Sequence, residues 1–152
     1  MAKVKNIEII NRKAKFEYFF NVVIEAGIQL VGTEIKSIRE GNVNLRDAYC
    51  TFKDGNLIVK SMFIAEYSHG NINNHETRRD RRLLLRKQEL KKLLKKVKEK
   101  GNTIIPYRLY INDRGFAKLE VALATGKKSH DKRNSIKEKD QKRDLARQKK
   151  GY

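Results

Sequence analysis

The chain has 152 residues, 36 of them Lys or Arg and 18 Asp or Glu, giving a formal net charge of +18 and a pI of about 10.1. One small domain is expected at this length. The single cysteine, Cys50, excludes a disulfide framework and a Cys-rich zinc site. No apolar run reaches the roughly 18 residues that span a bilayer, and Met1-Ala2-Lys3-Val4-Lys5-Asn6 lacks the apolar core of a secretory signal. A soluble protein of a reducing compartment, the cytoplasm, is expected, with a polyanionic partner and no membrane.

Ile7-Glu8-Ile9 is a short alternating run, followed by the polar cluster Asn11-Arg12-Lys13-Ala14-Lys15. Phe19 to Val31 is β-branched and aromatic and reads as strand, interrupted by Gly27 at a bulge or a close approach of backbones. Thr33 to Glu40 reads as a short helix: Thr33 caps, Glu34 suits the first turn, Ile35 and Ile38 share a face, and Gly41 ends it. Ala48–Phe52 and Leu57–Ile64 pair as a hairpin around Lys53-Asp54-Gly55-Asn56, where Asp-Gly favours a tight turn. Helical spacing of Leu83, Leu90, Leu93, Leu94 and Val97 predicts one long basic helix over 77–100, ended by Gly101. Ile104–Ile111 and Phe116–Ala124 form a second hairpin, with Pro106 placing its first strand at an edge or bulging it near its start. Antiparallel strands with a helix between hairpins predict a mainly β domain, an OB-like closed or partly open barrel with flanking helices.

The charge is unevenly distributed. Residues 76–100 carry a net +8 and residues 127–152 a net +7, leaving +3 for everything else. Arg78, Arg79, Arg81, Arg82 and Arg86 crowd the start of the expected helix with only Asp80 among them. Like charges there oppose the helix dipole, so phosphate contact by part of this helix is favoured over a merely solvated face. The last 26 residues contain four apolar side chains, Ile136, Leu145, Ala146 and Tyr152, too few to offset the entropy of ordering a backbone. The expected organisation is therefore a domain over 1–126 and a basic tail over 127–152, disordered when free. The tail lacks proline and interleaves acids with bases, which suits folding on RNA. At this charge the chain is expected to be monomeric.

Catalytic chemistry finds little footing. His69, His75 and His130 have no metal-ligand spacing, Cys50 sits in a strand pattern without a nearby histidine, and no phosphate-binding glycine loop occurs. Glu25 and Glu34 are candidate carboxylates, but nothing in the sequence brings them together. No enzyme activity, metal or cofactor is expected.

Asn11-Arg12-Lys13-Ala14, Glu25-Ala26-Gly27-Ile28, Gly32-Thr33-Glu34-Ile35-Lys36-Ser37-Ile38-Arg39, Asn44-Leu45, Leu83-Leu84-Leu85 and Gly126-Lys127-Lys128-x-x-Asp131-Lys132-Arg133 occur in order. This set resembles the small protein B family, the SsrA-binding proteins that partner tmRNA, over about residues 5–147. The loop His75-Glu76-Thr77-Arg78 departs from it, since many members carry a proline before the arginines. The resemblance implies an OB-like barrel with flanking helices and a flexible tail. It implies a noncatalytic protein that binds the tRNA-like domain of tmRNA and delivers it to stalled ribosomes. It further implies tmRNA contacts at Asn11, Lys15, Glu25, Leu84 and Lys118, with Arg12, Lys13, Lys36 and Arg39 as neighbours. For the tail it implies helix formation in the empty message channel, with His130 near the small-subunit decoding region, Lys132 and Arg133 on ribosomal RNA phosphates, and Lys127, Lys128 and Asp131 in the same segment. The competing expectation is a generic ribosomal or ribosome-associated RNA-binding module.

Overall fold

A computed structural model of the chain describes residues 7–70, 73–99 and 101–149. Strand β1 (Glu8–Ile10) leads into α1 (Arg12–Glu17), whose N-cap Asn11 accepts a hydrogen bond from the Ala14 amide. The long β2 (Tyr18–Ile28) precedes α2 (Gly32–Arg39). Then come β3 (Val43–Asn44), the hairpin β4 (Tyr49–Lys53) and β5 (Asn56–Lys60), and β6 (Phe63–Ile64). Asp54 and Gly55 both take positive φ, the geometry of the tight turn that Asp-Gly predicted. The second hairpin, β8 (Asn102–Ile111) and β9 (Ala117–Gly126), is also in place, and α4 (Ser129–Lys149) follows it.

One expected element is corrected. Residues 77–100 do not form a single helix: Arg81–Leu84 is a strand, β7, and only Lys87–Val97 is helical, as α3. Arg81 and Leu83 are buried while Arg82 and Leu84 are exposed, a two-residue alternation that pairing with β2 and β5 selects. The helical spacing of the leucines holds from Leu90 onward, where Leu93 enters the core and Leu90 and Val97 pack beside it. The short helix α2 is capped at Val31, not Thr33; the Thr33 hydroxyl bonds the His75 ring instead, at 2.9 Å.

All sheet pairings are antiparallel, and β8–β4–β5–β7–β2–β9 return to β8, so the main sheet closes on itself as a ring. The expected mainly β architecture with flanking helices is therefore correct. The seam is thin, since β4 meets β8 only at Cys50 and Ile104. Inside lie Ile38, Leu57, Val59, Met62, Ile64, Leu83, Leu93, Leu109 and Leu119, all essentially excluded from water. A smaller cluster of Ala14, Ile105 and Ala124 seats α1 on the outside.

Pro106 is not at the sheet edge. It lies within β8 where the register against β9 shifts between Pro106 and Arg108. On its other side, β4 pairs at Ile104 and β1 begins only at Arg108, so no ladder partner requires the missing N–H. In β2 the bulge falls between Phe20 and Val22, while Gly27 serves the close approach: a Cβ there would meet Leu84 Cβ at 3.3 Å.

Candidate nucleic-acid interface

Four strand pairings set one line of residues across the outer face of the sheet. Leu84 of β7 stands opposite Gly27 of β2, Gly27 opposite Lys118 of β9, Lys118 opposite Tyr110 of β8, and Tyr110 opposite Glu8 of β1. Two residues along β2, a second line runs Glu25, Glu120, Arg108, Ile10. Side chains alternate along a strand, so the burial of Ala26, Ile28, Leu109 and Leu119 turns both lines outward. Glu25, Leu84 and Lys118, far apart in sequence, thus share one patch. Leu84 is 51% exposed despite its place in a leucine run. Gly27 lets the Leu84 side chain lie directly against the β2 backbone, which seats Leu84 beside Lys118 on this face.

The patch is cross-linked by polar contacts. Arg108 bonds Glu8 and Glu120, each at 2.8 Å, and its guanidinium lies 4.2 Å from the Tyr110 ring centre. The bond it donates to Glu8, then that to Glu120, push the Arg108 pKa up, so it stays charged. The Tyr110 hydroxyl donates to Glu25, and burial together with that carboxylate pushes its pKa up to about 12. Sequence reasoning missed Tyr110 and Arg108, which gain meaning only when β1, β2, β8 and β9 are laid side by side.

The remaining body residues fall into two groups. Arg12, Lys13 and Lys15 are exposed on α1, with Lys15 lying 5.5 Å from the Tyr107 ring centre. Asn11 is different: it is buried, its amide nitrogen bonds the Leu45 and Pro106 carbonyls at 3.1 Å each, and its oxygen caps α1. It positions the helix that carries the three cations. Lys36 and Arg39 project from α2, Lys36 over the Tyr67 ring at 5.4 Å and Arg39 beside Gly115 in the β8–β9 turn.

Beneath α2 sits a group that the sequence did not reveal. Glu34 and Arg81 are both fully buried and bonded to each other, and Arg79 donates to the same carboxylate at 2.6 Å. The Val31 amide adds a third donor at 3.0 Å. Burial pushes the Glu34 pKa up, but Arg79, the Val31 amide and Arg81 outweigh it, and the net direction is down. Two of the arginines that suggested phosphate contact therefore serve the fold. His75 lies in a loop as expected, but is buried there between the Thr33 hydroxyl and the Ile64 carbonyl. Burial also pushes the Cys50 thiol up, as suits an inert core cysteine.

At the root of α4, the Lys127 amide bonds the Glu17 carbonyl at 2.8 Å, and its ammonium meets Ser135 at 2.9 Å and the Phe19 ring at 5.0 Å. Asp131 accepts from the Lys128 amide at 3.2 Å and lies 3.1 Å from His130. Lys132 and Arg133 stand in the first turns. A cleft of about 340 Å³ between α1 and α4 is lined by Arg12, Lys15, Tyr107, Lys127, Lys139 and Lys142 among others. None of α4's described side chains is buried. Among the described residues no group of His, Cys, Asp and Glu could hold a metal, and no helix is long and apolar enough to cross a membrane.

A family model described as SmpB protein matches residues 8–151. The chain belongs to the SmpB family. Two similar SmpB-family relatives are SsrA-binding proteins. That of Bacteroides thetaiotaomicron is 54% identical over 145 residues, spanning 95% of this chain and 97% of the relative. That of Moorella thermoacetica is 48% identical over 137 residues, spanning 90% and 88%. A solved chain described under "tmRNA-SmpB: a journey to the center of the bacterial ribosome" superposes with a TM-score of 0.70 at 41% identity, covering 86% of this chain and 94% of that one. The family resemblance carried by the ordered motifs is therefore correct.

Proposed function

We propose that this SmpB-family chain binds the tRNA-like domain of tmRNA and delivers it to ribosomes stalled on incomplete messages, for trans-translation in the cytoplasm. It acts by binding and not by catalysis. The observation that carries the reading is the outward line through Leu84, Gly27 and Lys118 with Glu25 beside it: a shaped, half-polar patch with few cations. Such a patch suits recognition of an RNA shape and its unstacked bases, in contrast to a dense basic surface that grips any phosphate chain. Arg12, Lys13 and Lys15 on α1, held by Asn11, and Lys36 and Arg39 on α2 add phosphate contacts around it. The tail, with Lys127, Lys128, His130, Asp131, Lys132 and Arg133 at its root, is a second element that meets the small-subunit decoding region and the message channel.

The reading is tested by fluorescence anisotropy at physiological salt, comparing the tRNA-like domain with an unrelated RNA duplex of equal length. Preferential binding of the tRNA-like domain is expected. Equal affinity would reduce the protein to a generic ribosome-associated RNA binder. Lys118→Ala should weaken binding and lower the slope of log affinity against log salt by about 1, as loss of one phosphate contact requires. An unchanged slope would remove Lys118 from the phosphate contacts.

A further inference from the structure

The outer patch has a feature that phosphate binding does not explain. In a chain of net charge +18, three carboxylates, Glu8, Glu25 and Glu120, face outward within two cross-strand lines, against Arg108 and Lys118. Glu25 and Glu120 are direct cross-strand neighbours, an arrangement that repels itself and any phosphate brought near. Arg108 pairs with both Glu120 and Glu8 through its two bonds, one positive charge against two negative, leaving Glu25 without a cation among its described partners. Glu25 instead accepts from the Tyr110 hydroxyl through Oε2 alone. Its Oε1 has no described protein donor, and the side chain is exposed.

We infer that Tyr110 is a positioning residue for RNA binding: its hydroxyl fixes one Glu25 oxygen and so aims the other at an uncharged N–H or O–H donor of a bound nucleoside. This rests on the RNA-binding reading above and names the chemistry of that site. The stack of Arg108 on the Tyr110 ring holds the tyrosine in place, and Glu8 and Glu120 hold Arg108. The acceptor stands two residues along β2 from Gly27, over which the exposed Leu84 side chain lies, and Lys118 opposite Gly27 supplies the cation for the adjoining phosphate. A carboxylate so held loses little freedom on binding, and hydrogen bonds to charged groups are among the stronger ones. With its pKa pushed up to about 12, the Tyr110 hydroxyl keeps its proton and remains a donor throughout the physiological range.

The test uses the full-length protein and the tRNA-like domain of tmRNA, with Tyr110→Phe, Glu25→Gln and the double substitution. Each single change is expected to weaken binding about tenfold, the double no more than the worse single, with the salt slope of the wild type in every case. Tyr110→Phe keeps the ring under Arg108, and Glu25→Gln alters only an exposed group, so melting temperatures should stay level. Wild-type affinity in either single variant, multiplying losses in the double, or a reduced salt slope would overturn the inference. Interference mapping with 2′-deoxy analogues and with base analogues lacking each exocyclic amine or ring N–H then distinguishes a ribose hydroxyl from a base donor: one of the two kinds should interfere with the wild type and not with Glu25→Gln. Interference by neither would also overturn it. If the wild type itself fails to prefer the tRNA-like domain, the proposed function fails, separately from the role of Tyr110.

Discussion

Arg81→Met is expected to destabilise the protein by about 3–5 kcal/mol, because it removes one partner of a buried ion pair and strands the other. Arg81 is fully excluded from water, as is Glu34, and its guanidinium also donates to the Met62 carbonyl at 2.6 Å and the Thr77 carbonyl at 3.2 Å. Those bonds tie α2, β7 and the segment after β6 into one unit. Methionine fills a similar volume but leaves two carbonyls without this donor and Glu34 dependent on Arg79 and the Val31 amide. The measurement is the urea midpoint and slope of unfolding. A loss below about 1 kcal/mol would mean that water replaces the guanidinium, and that the pair is peripheral to the fold. The double variant Glu34→Gln with Arg81→Met should recover part of the loss, since it buries no charge without its partner. Acid supplies an independent check. Glu34 titrates below its ordinary value of 4.5 in the folded state, so its contribution is present above that value and fades as pH falls below it. The wild type should lose stability faster than Glu34→Gln over that acidic range.

Truncation after Gly126 is expected to leave binding of the tRNA-like domain within about twofold of the full chain and to abolish tagging on stalled ribosomes. Strand β9 ends at Gly126, and α4 has no buried described side chain, so the body loses no core on truncation. What it loses is a net +7 over 26 residues, a run of charge suited to a phosphate-lined channel. Tagging in a reconstituted translation system is the measurement, with binding and melting temperature as controls. A truncated protein that still supports tagging would refute the role given to the tail. One that tags poorly because it no longer binds the tRNA-like domain would place tail residues in the body site, most directly the Arg12, Lys15, Lys139, Lys142 cleft.

The wrong helix over 77–100 has an instructive cause. Leucine spacing from Leu83 to Val97 matches one 3.6-residue pattern, but Leu83 belongs to a two-residue alternation with Arg81. A buried arginine breaks the expected alternation of apolar and polar, so the strand is invisible unless Glu34, 47 positions earlier, is known to be its partner. The same distance hid the structural meaning of the arginine cluster. Within the Leu83-Leu84-Leu85 run nothing local marks Leu84 as the one that pairing with Gly27 turns out to 51% exposure. Local sequence marks Asn11 only as part of a polar cluster; that its amide is consumed by Leu45 and Pro106 needs the fold.

Local chemistry sufficed wherever cause and effect lie close in the chain. Asp-Gly specifies its hairpin, and the distribution of lysine and arginine picks out residues 76–100 at +8 and 127–152 at +7 against +3 for the rest. The ordered motifs identify the SmpB family without any coordinates. Register is another matter, because each cross-strand neighbour is chosen by hydrogen bonding between segments tens of residues apart. Only the closed sheet brings Glu8, Glu25, Leu84, Tyr110 and Lys118 onto one face, and only burial decides that Arg81 holds the fold together while Arg82 faces water.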